Sequence, residues 1–179
     1  MLFTETKIPG VFVIDLEKRE DARGYFARAW CAAEFEKHGL PAFVQTNMSL
    51  SRQKGTIRGF HYQVAPHGEA KYVRCIRGAI FDVALDIRPD SPTRGTWIGT
   101  ELTAENRRAI FVPAGLPHAY QALTEDAEVI YSASCAYTPG AERGIRWNDP
   151  AFNVEWPIVE AIVSEKDMKW GDFPGVSPS

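Results

Sequence analysis

Two of the four histidines stand where a turn feeds a strand, and histidines so placed can hold a metal or carry protons near neutral pH. His61 ends the segment Gly55-Thr56-Ile57-Arg58-Gly59-Phe60-His61, and His118 ends Pro113-Ala114-Gly115-Leu116-Pro117-His118. A site of two histidines and a carboxylate would need another histidine two residues after His61 and a glutamate soon afterwards. Gln63 occupies the first position and Glu69 comes late, so no metal is expected. The cysteines Cys31, Cys75 and Cys135 are far apart and form no C-x-x-C, which suggests neither a disulfide framework nor a thiolate zinc site. His38 and His67 read as ordinary structural or surface residues. Lys71 falls in line with Val73 and Cys75 on one strand face, which puts an ammonium at a mouth or in a site. Val129, Tyr131, Ala133, Cys135 and Tyr137 share another face and read as a pocket wall bearing two phenols.

Such side chains need a scaffold, and 179 residues supply one ordinary domain, taken as 1–179. A hydrophobic fraction of 45% beside 24% charged residues excludes disorder and collagen-like repeats, and 12% aromatics with spread Gly and Pro favour short strands joined by turns. A net charge of -3 without a basic stripe argues against nucleic acid as a partner. The first residues lack a basic stretch followed by an apolar core, and no apolar run approaches the roughly 20 residues that span a bilayer, so a cytoplasmic protein with no membrane partner is expected.

Period-two segments predict strands over Val11–Asp15, Phe43–Ser51, Thr56–Gln63, Lys71–Arg77, Ala79–Ile87, Thr96–Leu102, Arg108–Pro113, His118–Leu123 and Ala127–Tyr137. One short helix, Ala32–His38, stops at Gly39-Leu40-Pro41. Many short strands at this spacing predict an all-β sandwich, jelly roll or barrel. In Ala79–Ile87 the odd positions are apolar and the even ones carry Asp82 and Asp86, which predicts a core face and a wetter face. From Gly140 to Ser179 periodicity fades, and Trp147, Phe152, Trp156 and Trp170 are available to anchor this tail on the sheets.

The two histidine segments resemble the motifs of the cupin jelly roll. A wider set of landmarks resembles the dTDP-4-dehydrorhamnose 3,5-epimerase family from about Pro9 to Asp167. They are Asp21-x-Arg23-Gly24-x-Phe26, Gln45-x-Asn47-x-Ser49, Arg58-Gly59-Phe60-His61-Tyr62-Gln63, Asp86-x-Arg88-x-x-Ser91-Pro92, Glu142-Arg143-Gly144-Ile145, Trp147-Asn148-Asp149-Pro150 and Ser164-Glu165-Lys166-Asp167. The resemblance implies a homodimeric cupin-type double-stranded β-helix with short peripheral helices. It implies inversion of carbons 3 and 5 of a nucleotide-diphosphate-linked 4-keto-6-deoxyhexose, without metal or organic cofactor. It makes His61 the base, Asp167 the carboxylate that orients it, Lys71 the oxyanion stabiliser and Tyr131 the acid on the opposite face. Substrate contacts are implied for Arg23, Phe26, Arg28, Gln45, Asn47, Ser49, Arg58, His118, Tyr137, Glu142 and Lys166. Arg58 would grip the diphosphate and Phe26 would stack on the base. The chemistry fits: a 4-keto group acidifies both flanking carbons, so a base near neutrality, an enolate stabiliser and an opposed acid suffice.

Departures from the family pattern fall on specificity groups. Arg28 replaces the usual glutamate, exchanging an acceptor for a five-donor cation and bearing on which nucleotide base is recognised. Ala119-Tyr120-Gln121 follows His118 where Gly-Phe is usual, and Cys135-Ala136 precedes Tyr137 in place of an acidic and aromatic pair. Epimerisation at one carbon, or on a non-thymidine nucleotide sugar, is therefore the alternative; a metal-dependent cupin enzyme and a non-catalytic sugar-nucleotide binder are the rivals. Two geometric conditions follow. Arg58 and His61 point to opposite faces of an ideal strand and can line one pocket only if Gly59 permits a bulge. Tyr131 and Tyr137 would lie roughly 20 Å apart in an extended strand, which leaves Tyr137 a supporting role.

Overall fold

The computed structural model describes residues 1–175; the last four residues of the expected tail, 176–179, lie outside them. One six-stranded sheet has the order β1 (Leu2–Glu5), β2 (Phe12–Asp15), β10 (Ala109–Val112), β7 (Lys71–Arg77), β12 (Ala127–Ala133) and β5 (Gln45–Ser51). The second has the order β13 (Glu142–Gly144), β6 (Thr56–Gln63), β11 (His118–Ala122), β8 (Ala79–Leu85) and β9 (Trp97–Thr103), and β14 (Ile162–Val163) runs parallel to β6. The other pairings are antiparallel, with neighbours such as β10 and β7 far apart in sequence, as the expected jelly roll requires. A separate hairpin joins β3 (Arg19–Asp21) to β4 (Gly24–Phe26), and the helices are α1 (Ala32–Lys37) and α2 (Glu165–Met168). Among the described residues no helix is long and apolar enough to cross a membrane.

The inner faces meet in a core of Val73, Cys75, Ile80, Ala84, Leu102, Ile110 and Val129, where each large aliphatic side chain contributes roughly 1.5–3 kcal/mol of burial. Phe35 of α1 covers the outer face of the first sheet against Tyr72 and Phe111. The C-terminal segment covers the second sheet: Trp156 packs on Phe60 and Phe81, and Phe173 on Phe152. Gln121, fully buried, joins this segment to the sheet by donating to the Ile158 carbonyl at 2.7 Å and accepting from its N–H at 2.9 Å.

Two strand expectations need correction. In β8 the aspartate-bearing face is not the wetter one. Ile80, Asp82 and Ala84 point into the sandwich while Val83 and Leu85 form a second core under the C-terminal segment, so both faces are buried. Asp86, just beyond the strand, is also buried, and accepts from Arg88, Ser91 and Thr93. The strand expected to reach Tyr137 ends at Ala133, because the chain bends at Ser134, whose hydroxyl accepts from the Ala70 N–H at 2.8 Å.

Candidate active site

A cavity of about 710 Å³ opens between the sheets. Ser49, Lys71, Val73 and Tyr131 line it from the first sheet, Arg58, His61, His118 and Tyr120 from the second, and Lys166 and Asp167 from α2. Arg58 and His61 share this wall because β6 carries the bulge that the sequence required. Tyr120 pairs with Arg58 and His118 with His61, so three residue steps on β6 oppose two on β11. Gly59 sits at φ +116°, and a Cβ there would lie 2.5 Å from the His118 carbonyl oxygen, so only glycine fits.

His61 meets its carboxylate across a long sequence gap: Nε2 lies 2.6 Å from Asp167 Oδ1. Asp167 is placed by short local bonds. β14 pairs with β6, the Ser164 side chain caps α2 by accepting from the Asp167 N–H at 3.1 Å, and the Gly59 N–H donates to Asp167 Oδ2 at 3.4 Å. Burial alone would raise the pKa of this carboxyl, but the His61 bond and charge, with the Gly59 and Ser164 bonds, outweigh it and hold the group below the usual carboxylate range. An ionised Asp167 requires a proton on Nε2, and in the neutral imidazole this leaves Nδ1 with a free lone pair. Trp170 backs this pair. Its ring lies edge-on to His61 at 6.4 Å and flat against Gly144, where a Cβ would come within 2.3 Å of the indole.

Lys71 Nζ lies 2.8 Å from Glu69 Oε1 and donates to the His61 carbonyl at 3.3 Å. On the neighbouring strand of the same sheet, burial is the main cause that pushes the Tyr131 phenol above its ordinary range, reinforced by the charges of Glu69, Tyr120 and Glu142 and partly opposed by the Asn47 amide. Tyr131 therefore keeps its proton at neutral pH. His118 Nε2 lies 2.9 Å from both oxygens of the buried Asp82, and Ser49 bonds the Tyr120 hydroxyl at 2.8 Å. At the rim Arg58 is steadied by donating to Ser51 Oγ and the Leu50 carbonyl, and Lys166 is paired with Glu142.

Of the residues singled out from sequence, Ser49, Arg58, His61, Lys71, His118, Tyr131, Lys166 and Asp167 line one cavity. Asn47 stands behind it as the cross-strand partner of Tyr131 and accepts from Gln45 at 3.1 Å, while Glu142 reaches it only through Lys166. Tyr137, exposed and beyond the end of β12, receives the Gln45 side-chain oxygen on its N–H. Arg23, Phe26 and Arg28 lie elsewhere in the chain. Arg23 is bound to Asp21, and Phe26 and Arg28 border a small pocket with Glu17 and Glu34, Arg28 bonding Glu34 at 2.8 Å. Sequence reasoning gave no site role to Asp82, weighed Glu69 only as a metal ligand, and named Tyr120 only as a departure from the family pattern. Asp82 could have been found as the residue on the His118-facing side of β8, and Glu69 by its spacing two before Lys71.

Known proteins resemble this chain over most of its length. The model of the dTDP-4-dehydrorhamnose 3,5-epimerase family matches residues 5–174. The chain is 40% identical over 171 residues to a dTDP-4-dehydrorhamnose 3,5-epimerase of Shigella flexneri, covering 94% of each chain. It is 42% identical over 173 residues to that of Methanothermobacter thermautotrophicus, covering 94% and 92%. The crystal structure of the enzyme of the same name from Elizabethkingia anophelis superimposes with a TM-score of 0.94 at 37% identity, covering 97% of this chain and 96% of that one.

Proposed function

Because the chain belongs to the dTDP-4-dehydrorhamnose 3,5-epimerase family and is a sugar-nucleotide epimerase, we propose that His61, Lys71 and Tyr131 invert a dTDP-linked 4-keto-6-deoxyhexose through an enolate. The observation that carries this reading is a His–Asp base and a protonated phenol lining one cavity, with a lysine ammonium on the same wall.

In the proposed step, the free lone pair of His61 Nδ1 takes the proton from the carbon beside the ketone, and the C–H electron pair moves into the ring to leave an enolate on the C4 oxygen. The Lys71 ammonium donates to that oxygen as its charge develops. The Tyr131 O–H returns a proton to the same carbon from the opposite face, which inverts it. Solvent exchange then moves the proton from His61 to Tyr131 and resets both groups. Asp167 stabilises the imidazolium without accepting its proton. The same groups act at both flanking carbons, since the ketone acidifies each. Arg58, held by Ser51 and Leu50, and Lys166 form a cationic rim suited to a diphosphate.

The working form we propose is a homodimer. β5 is an edge strand with Met48 exposed, and Val44 and Phe26 are exposed as well. On the same outer face, along the register Met48–Ile130–Arg74, the Arg74 Nε is buried without a partner among the described residues. A second copy packed there would cover the apolar side chains, and it gives the hairpin bearing Arg23 and Phe26 a cavity to serve. Light scattering should give twice the chain mass, and M48D should give the single-chain mass; a monomeric parent would refute the dimer.

The test of the reaction is incubation with dTDP-4-keto-6-deoxyglucose in D2O followed by NMR. Deuterium should enter at both C3 and C5. Label at neither carbon overturns the reading, and label at one alone narrows it to a single-carbon epimerase.

A further inference from the structure

The carboxylate behind Lys71 has no part in the reaction as written, yet it is held with unusual care. Glu69 and Lys71 are both largely buried, at 12% and 11% side-chain exposure. Glu69 does not line the cavity; it stands behind the ammonium, on the loop that joins β6 to β7. That loop is stapled on both sides. Gln63 donates to the His67 and Ala136 carbonyls and accepts from the Thr138 N–H at 2.7 Å, and the next residue, Ala70, is buried and bonded through its N–H to Ser134. A lysine loses rotamer entropy when it is fixed, and a carboxylate that cannot swing fixes it.

We propose that Glu69 is a positioning residue: it holds the Lys71 ammonium where the enolate oxygen forms and, through its charge, keeps the Tyr131 proton in place. This rests on the reading of Lys71 as oxyanion donor and Tyr131 as acid. A neutral side chain could accept the same hydrogen bond, but a carboxylate also opposes a phenolate on the neighbouring strand, β12. Around Tyr131 the charged or titratable groups are Glu69 on the loop, Lys71 on β7, and His118 and Tyr120 on β11. Arg58 and His61 on β6, Glu142 on β13, and Lys166 and Asp167 on α2 complete the set. After burial, the Glu69 charge does most among these groups to keep the phenol protonated, so removing it should release the phenol toward its ordinary range.

Two variants separate the bond from the charge. E69A removes both, and kcat should fall about tenfold or more with KM within about twofold, since the ammonium is no longer held for the charge that appears only in the transition state. E69Q keeps the bond through its amide oxygen and should lose less, but the alkaline limb of its pH–rate profile should move down by roughly half to one pH unit. The phenol is also titrated directly by ultraviolet difference absorbance, with Y131F as the blank that isolates Tyr131. The same downward shift is expected in E69Q. A kcat for E69A within twofold of the parent, or a Tyr131 titration unmoved in E69Q, overturns the proposal. Absence of deuterium exchange in the parent would instead refute the functional reading, and the titration would still decide the role of Glu69.

Discussion

His61 and His118 face each other across the β6–β11 ladder, and each turns Nε2 to a carboxylate, yet the two carboxylates come from different kinds of structure. Asp82 belongs to β8, the neighbour of β11 in the same sheet, and is fully buried, so its pair with His118 forms wherever the sheet forms. Asp167 is 106 residues from His61 and arrives on a C-terminal segment held by β14, the Ser164 cap and Trp170. Its histidine keeps 27% side-chain exposure where His118 keeps 10%. The difference teaches a division of labour. A pair inside a sheet is the more buried one and strongly coupled to stability, whereas a pair closed by a docked segment keeps one ring nitrogen open to a ligand and depends little on the core.

Replacing Asp167 should break this contrast most on the side of activity. In D167N the side chain no longer forces the proton onto Nε2, so Nδ1 loses its guaranteed lone pair, and an imidazolium would form without a counter-charge. Deuterium exchange at both C3 and C5 should fall on the order of 10³–10⁴-fold. Stability should fall by only about 1–2 kcal/mol, or roughly 2–8 °C in Tm for a chain of this length. Exchange rates by NMR and melting by circular dichroism decide it. If D167N exchanges within tenfold of the parent, the docked pair is structural and the division of labour is refuted.

The same contrast explains what could be read from sequence. β6 and β7 have the expected bounds, Thr56–Gln63 and Lys71–Arg77, because both are period-two runs closed by turn residues, and the bulge at Gly59 was demanded by Arg58 and His61 needing one pocket. The His118–Asp82 pair was hidden: alternation in β8 suggested a wet face, and only the docked C-terminal segment makes the other face a core too. β13 and β14 were missed because three-residue and two-residue strands carry no period of their own. His61 and Asp167 were legible as a pair through family resemblance, since no local pattern joins residues so far apart. Glu69 was weighed only as a metal ligand and set aside as too late in sequence. Its partner was two residues ahead, across a loop whose shape depends on Gln63 and Ser134.

The smaller effect on activity should come from the sheet-internal pair. D82N leaves His118 facing an amide at a fully buried position, and breaking a buried pair by changing one partner costs about 3–5 kcal/mol. For this length that is a fall of about 6–20 °C in Tm. At a temperature where D82N is folded, exchange should fall only about tenfold or less, because His118 lines the cavity but His61 still takes the proton and Tyr131 still returns it. The two variants should therefore fall on opposite corners of a plot of Tm against exchange rate. D82N that kept its Tm and lost exchange as deeply as D167N would place the His118 pair in the chemistry itself, and burial alone would then no longer distinguish a structural His–Asp pair from a working one.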